Sequence, residues 1–402
     1  MRRLGIDGKQ KRPEQRIQRV HGGPGPEQVQ GRGDDNIRAP FAMSPTNARN
    51  RRCVALIAWI VIGLSWLAES ALAAGVTAKA PVASGYARRA DVRIFVDELA
   101  AEGGFDRKQL LRWFAAAQFQ PKVVAAMQRP IVEPPKWFEY APQFLSAQRV
   151  EGGVAYFRAH EADLARAERE FGVPAEIIVA IIGVETFYGR NLGNYRVFDA
   201  LTTLTFDYPR RATFFRTELK EFLRLTRDQG ISPLVPKGSF AGAMGVPQFM
   251  PGSYVRYAID FDGDGKTDLW ESGADVIGSI ANYLARHDWQ PGGPVLLPAT
   301  IDAASRDAIL SKLDGGMSER RSHLAWEGDG VAADALPSEL PIDPVGLLML
   351  EEAPINGEER ASYWIACPNF YSITRYNRSR LYAAAVFNLA QALKTAREYG
   401  AR

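Results

Sequence analysis

Cysteine is scarce in this sequence: Cys53 and Cys367 are the only two in 402 residues. Cys53 lies in an apolar segment near the start, so residues 75–402 hold a single thiol. They cannot form an internal disulfide, and the fold must rest on its core. The roughly 320 residues after position 74 are ample for one large domain or two. A block of like charge is also missing. Residues 1–74 hold 12 of the 49 basic side chains and 6 of the 46 acidic ones, so the formal +3 of the whole chain becomes about −3 beyond them. A mildly acidic chain with no basic patch lacks the footprint of a nucleic-acid binder. Long hydrophobic runs are lacking too. The strongly apolar stretch from Val54 to Leu67 is short for a bilayer span, and Glu69 interrupts its end. No internal repeat is evident.

What is present near the start is a basic pair, Arg51 and Arg52, followed by the apolar run and the small-residue sequence "ALAA". This is the grammar of a secretory signal over residues 43–74, with cleavage expected after Ala73 or Ala74. No cysteine follows at the junction where a lipid anchor would need one, so soluble, periplasmic export is expected, with no integral span after cleavage. Residues 1–42 are rich in Gly, Pro, Gln and Arg without periodicity; they read as disorder, or as sequence upstream of a true start at Met43.

After a linker at 75–89, three- and four-residue apolar spacing predicts two helices over 91–118 separated by Gly103 and Gly104. Further helices are predicted over 148–172, 174–190, 211–227 and 272–287. Residues 293–372 carry short β-branched runs punctuated by Gly and Pro, and helical periodicity then returns to the C-terminus. The expected class is mainly α (α+β): an N-terminal α domain over 90–150, a helical core over 151–292, a small β-containing subdomain over 293–372 and a C-terminal helical return over 373–402.

The chemistry starts with Glu185 in "FGVPAEIIVAIIGVETFYGRNLG", seven residues after Ile178 and four after Ile181. Its carboxyl therefore projects from an apolar stripe. Burial favours the protonated form, as a general acid requires; a core ion pair with Arg190 is the bland alternative. In "GSFAGAMGVPQFMPGSY" the small residues permit close backbone approach to a ligand. Ser239 and Gln248 offer hydrogen bonds to a sugar, and Phe249 offers a ring, although tight helix packing explains the segment equally well. Arg210 and Arg211 open a helix whose dipole disfavours cations, so an anionic ligand group or plain solvation must compensate. Tyr371, Tyr376, Asn377 and Tyr382 form an aromatic and amide cluster suited to sugars or to the core.

"DFDGDGKTDLWE" fits an EF-hand calcium loop, with Asp260, Asp262, Asp264, Gly265, Lys266, Asp268 and Glu271 at positions 1, 3, 5, 6, 7, 9 and 12. Lys266 would supply its carbonyl, and Asp275 competes with Glu271 as the terminal ligand. A lone loop suggests a structural clamp.

Taken together, "GVETFYGRN", "DYPRRATFF", "KGSFAGAMGVPQFMP", "DFDGDGKTDLW" and "ITRYNRSRLYAAAV" resemble the membrane-bound lytic murein transglycosylase B family and its soluble forms, over about residues 90–398. The resemblance implies a lysozyme-like helical fold with a calcium loop and a small β domain. It also implies non-hydrolytic cleavage of the MurNAc-β-1,4-GlcNAc bond. On the matching positions it implies Glu185 as acid and base, Ser239 and Gln248 near the acetamido group, and Tyr140, Arg210 and Arg211 on substrate. Tyr283, Tyr376, Asn377 and Tyr382 fall at further cleft positions. Glycosidases commonly pair two carboxylates, whereas the matched segments supply one, so the substrate's acetamido group is expected to complete the mechanism. The rival readings are a lysozyme-type hydrolase and a non-catalytic wall-binding protein. The expected partners are peptidoglycan strands, with wall-synthesis proteins as further candidates, and the chain itself is expected to be a monomer.

Overall fold

The computed structural model describes residues 85–128, 134–333 and 342–400. The signal segment and the extension before it lie outside the described residues.

Two helices, α1 (Ala90–Ala101) and α2 (Arg107–Ala116), flank the predicted glycine pair, and the Asp106 side chain caps α2 by accepting from Gln109 N at 2.7 Å. The short helices α3 (Pro121–Met127) and α4 (Trp137–Tyr140) follow. The stretch predicted as a helix over 148–172 is two, α5 (Ala147–Ala159) and α6 (Glu161–Phe171), broken at His160. Then come α7 (Ala175–Thr186), α8 (Val197–Asp207) and α9 (Ala212–Asp228), with a two-residue strand β1 (Tyr195–Arg196) ahead of α8. Its partner β2 (Lys237–Gly238) pairs antiparallel with β1 and leads into the short α10 (Pro251–Tyr257) and α11 (Gly273–Ala285).

Helix α7 is apolar on nearly every face, because it runs through the middle of the core: Ile178, Val179, Ala180, Ile181 and Ile182 are fully buried. Each large aliphatic side chain so buried contributes about 1.5–3 kcal/mol before entropy is counted. Helix α8 escapes a periodicity search for the same reason: Thr202, Thr203 and Thr205 are buried along with its apolar residues, so no polar face marks it. One continuous cluster of buried side chains runs from Tyr86 through α7 to Leu393.

The sheet lies within the region predicted for it. β3 (Leu296–Ile301), β4 (Val331–Ala333), β5 (Gly346–Ile355) and β6 (Glu358–Ala366) form an antiparallel sheet in the order β4-β3-β6-β5, with α12 (Arg306–Leu310) and α13 (His323–Gly328) between β3 and β4. Successive strand residues point to opposite faces, and β5 uses both. Leu348 and Leu350 join the helical core, while Leu347, with Val345 just before the strand, joins a second cluster around Trp326 and Ile309. The chain returns to the helical body through α14 (Pro368–Tyr376) and α15 (Arg380–Gly400), and α15 lies against both α5 and α7.

Candidate active site

Glu185 occupies the last turn of α7, and its carboxyl accepts a 2.6 Å hydrogen bond from Tyr382 Oη on α15, 197 residues away in sequence. The residue as a whole is only half-buried, but protein encloses its carboxyl. That burial pushes the pKa up to about 7, against the opposing effect of the Tyr382 bond. The ion-pair alternative finds no support: Arg190 is exposed, and its guanidinium lies 5.0 Å from the centre of the Phe187 ring. The groups whose ionisation responds to the Glu185 charge are tyrosines, namely Tyr140, Tyr376 and Tyr382.

The helix stops immediately after this acid. Phe187 and Tyr188 both adopt left-handed backbone, with φ of 52° and 61°. Non-glycine residues hold that conformation only where their surroundings over-determine it. Tyr188 is fixed by donating to Arg149 O at 2.8 Å, and its ring fills a slot between α5 and α7. A Cβ on Gly152, Gly153 or Gly183 would come within 2.9 Å of the Tyr188 side chain, so these three positions must stay bare.

The second wall is the loop between β2 and α10. Ser239 Oγ accepts from Ala243 N at 3.0 Å and from Ala241 N at 3.3 Å, which leaves its own O–H as the group free to donate. Gln248, also left-handed with φ 51°, gives its Nε2 to Gly245 O at 2.9 Å and to Leu192 O at 3.3 Å, keeping its Oε1 as an acceptor. Phe249 is 2 % exposed and packs against Tyr283 and Tyr376, with centroids at 5.5 and 5.7 Å, so it backs the cleft tyrosines from beneath. Tyr376 Oη donates to Pro247 O at 2.6 Å, and Tyr283 Oη donates to Arg375 O at 2.6 Å. The Tyr376 and Tyr382 rings are nearly parallel, 12° apart with centroids at 6.4 Å. Asn377 caps the turn between α14 and α15 by accepting from Ser379 N at 3.2 Å.

The two arginines behave differently. Both stand at the start of α9, as predicted, and Arg210 is exposed. Arg211 is half-buried, with its guanidinium 4.3 Å from the Phe214 centroid and its Nη1 enclosed without a hydrogen-bond partner. Burial lowers its pKa, and the Arg378 charge acts in the same direction.

The acidic loop lies behind this wall. Asp260, Asp262 and Asp264 bring carboxylate oxygens within 4.8 Å of one another, the only such cluster among the described residues. The Asp260 carboxylate also gathers the N–H groups of Gly263, Asp264 and Gly265, and Gly265 at φ 88° makes the turn a side chain would resist. The remaining candidates separate by burial. Asp275 is 1 % exposed, and its oxygens accept from Phe261 N, Asp262 N and Asp268 N, tying the two limbs of the loop together. Glu271 is exposed, and Asp268 caps the turn by accepting from Trp270 N and Glu271 N. The donor set of carboxylates plus the Lys266 carbonyl fits a hard divalent cation such as calcium.

Sequence reasoning missed Arg149, Thr186 and the slot that holds Tyr188. The bare positions Gly152, Gly153 and Gly183 inside helices were the available sign that something bulky packs there.

A profile of the "Transglycosylase SLT domain" family matches residues 87–391. The chain is 41 % identical over 324 residues to Membrane-bound lytic murein transglycosylase B of Escherichia coli (strain K12), covering 78 % of this chain and 85 % of the relative. It superposes on the crystal structure of soluble lytic transglycosylase SltB1 from Pseudomonas aeruginosa with a TM-score of 0.70 and 45 % identity, over 77 % of this chain and 99 % of that one. An Escherichia coli Slt35 structure in complex with calcium matches at TM-score 0.69 and 39 % identity, over 78 % of this chain and 95 % of that one. With the profile spanning most of the chain and the likeness running through both sequence and fold, this protein belongs to the SLT-domain family of lytic transglycosylases.

Proposed function

We propose that this lytic murein transglycosylase cleaves the MurNAc-β-1,4-GlcNAc bond without water, with Glu185 serving first as acid and then as base. The observation that carries the reading is a single enclosed carboxyl, poised near neutrality, whose ionisation among the described residues is coupled to tyrosines and to no second acid. A pKa of about 7 suits both roles, since either form is accessible at working pH.

In the first step protonated Glu185 gives its proton to the glycosidic oxygen as that bond to C1 breaks. The carbonyl oxygen of the MurNAc 2-acetamido group bonds to C1 and forms a cyclic intermediate. In the second step the ionised Glu185 takes the proton of the 6-hydroxyl. That oxygen then bonds to C1 and displaces the acetamido oxygen, closing a 1,6-anhydro ring. Atoms balance with no water consumed, and Glu185 ends protonated. Ser239 O–H is suited to hold the acetamido carbonyl and Gln248 Oε1 to accept from a sugar N–H or O–H. Tyr140, Tyr283, Tyr376, Asn377 and Tyr382 shape the cleft, with Phe249 behind them. Arg210 and the partnerless Nη1 of Arg211 are suited to an anionic lactyl or peptide carboxylate.

Mass analysis of digested sacculi tests this directly. Every product chain is expected to end in an anhydro sugar, one water lighter than a reducing end; reducing ends throughout would replace this reading with a hydrolase.

Tyr382→Phe checks the electrostatics. The Tyr382 bond favours the ionised carboxylate, so its loss raises the Glu185 pKa further and moves the alkaline limb of the pH–rate profile to higher pH. The maximum rate should fall about tenfold through loss of one bond to a charged group. An unmoved limb would detach Tyr382 from the acid.

The acidic loop is assigned to structural calcium, with Asp260, Asp262, Asp264, Asp268 and the Lys266 carbonyl as ligands. The terminal ligand is Glu271 or Asp275: Glu271 is exposed at the twelfth position of the loop, and Asp275 is buried, with its oxygens accepting from Phe261 N and Asp268 N. A periplasmic location follows from the signal segment. No helix among the described residues is long and apolar enough to cross a membrane.

A further inference from the structure

Thr186 follows Glu185 directly, is 1 % exposed, and belongs to none of the groups that would touch substrate. Helical threonines commonly fold back on the carbonyl four residues earlier. Here that carbonyl, Ile182 O, lies 3.4 Å from Oγ1 and also receives Tyr188 N at 3.3 Å. The shorter bond leaves the helix: Thr186 Oγ1 donates to Val246 O at 3.0 Å and accepts from Gly189 N at 3.1 Å. One hydroxyl thus ties the end of α7, the left-handed turn after it and the opposite cleft wall together.

The far end of that bond sits at a strained place. The next carbonyl along, Pro247 O, is held by Tyr376 Oη at 2.6 Å, and Gln248 then adopts φ 51°. Gln248 Nε2 closes back on Gly245 O at 2.9 Å. Side-chain donors on three successive carbonyls, Gly245, Val246 and Pro247, help to hold a non-glycine residue in a conformation it would otherwise leave. Of these, the Thr186 bond alone comes from the helix that carries Glu185, so it sets the spacing between that carboxyl and the Gln248 segment.

We infer that Thr186 is a positioning residue of this reaction: its hydroxyl fixes the register between the Glu185 carboxyl and the Gln248 wall through the Val246 carbonyl. The inference rests on the assignment of Glu185 as acid and base.

The test compares Thr186→Val and Thr186→Ser on soluble uncrosslinked glycan strands, measuring kcat and KM separately, with melting temperatures alongside. Valine keeps the shape and removes the donor; serine keeps the donor. The expected result is a kcat about tenfold or more lower in Thr186→Val, as small misplacements of reacting groups produce, with KM within about twofold. Thr186→Ser should stay within about twofold of wild type on both. Wild-type kcat in Thr186→Val, an effect confined to KM, or an equal loss in Thr186→Ser would each overturn the inference. If Thr186→Val does not fold, Thr186→Cys replaces it: the thiol is a weaker donor, so its kcat should fall below that of Thr186→Ser, and equal rates would overturn the inference. Failure of the underlying reading looks different, as reducing-end products from the wild type or full activity in Glu185→Gln.

Discussion

Glu185→Gln is expected to reduce glycan-strand cleavage at least about 10³-fold, since in the proposed mechanism one residue supplies both proton transfers and general acid–base groups each contribute about 10²–10⁴-fold. The amide fills nearly the same space and can still accept from Tyr382, so the cleft should persist and sacculus binding should remain. Turnover and binding measured on the same preparation separate the two. A rate within tenfold of wild type would remove Glu185 from the mechanism.

The same variant carries a stability signature of opposite sign. Burial raises the Glu185 pKa from an ordinary 4.5 to about 7 in the folded chain. Between those values the native state binds more protons than the unfolded one, so the contribution of this group to stability declines as pH rises through that window. Above about pH 7 the wild type carries an enclosed carboxylate at full cost, whereas the amide of the variant has no charge to desolvate. The variant's melting temperature should therefore match the wild type near pH 4.5 and exceed it near pH 8. Equal melting temperatures at pH 8 would mean that the carboxyl is not desolvated.

Removal of calcium should have the second largest effect, on stability and not on chemistry. A cation that binds the folded loop at a hundred times its Kd stabilises it by about 2.7 kcal/mol. At roughly 2–4 °C per kcal/mol for domains somewhat smaller than this one, chelation should lower the melting temperature by about 5 °C. Asp260→Asn with Asp262→Asn should lower it by a similar amount and abolish any further response to chelator. Well below the transition the cleavage rate should change less than twofold, because Glu185 and Tyr382 stand on α7 and α15, outside the loop. The absence of any thermal shift with chelator or added calcium would refute a structural cation at Asp260, Asp262 and Asp264.

Much of this arrangement was legible in the chain. Three- and four-residue spacing located α1, α2, α5, α6 and α9, because each keeps one face in water and one in the core; it also located α11, although that helix has no exposed residue. It failed at α8, where burial of the threonines erased the polar face, and it ran α5 and α6 together across His160. The acidic cluster was readable in the sequence, since Asp260, Asp262 and Asp264 lie within five consecutive positions.

The sequence by itself determined that a carboxyl would sit on the apolar stripe of α7, because helix geometry alone fixes which residues share a face. It could not determine what that carboxyl would meet. Only the tertiary structure brought Tyr382 to it across 197 residues and left Arg190 outside. It likewise turned Phe249 into support for Tyr283 and Tyr376, gave Asp275 to the loop backbone, and stretched the Thr186 hydroxyl to Val246. The physical reason is common to all of these. A local pattern fixes the direction a side chain leaves its own element, but its partner is set by how distant elements pack. The ionisation of Glu185 depends on that packing.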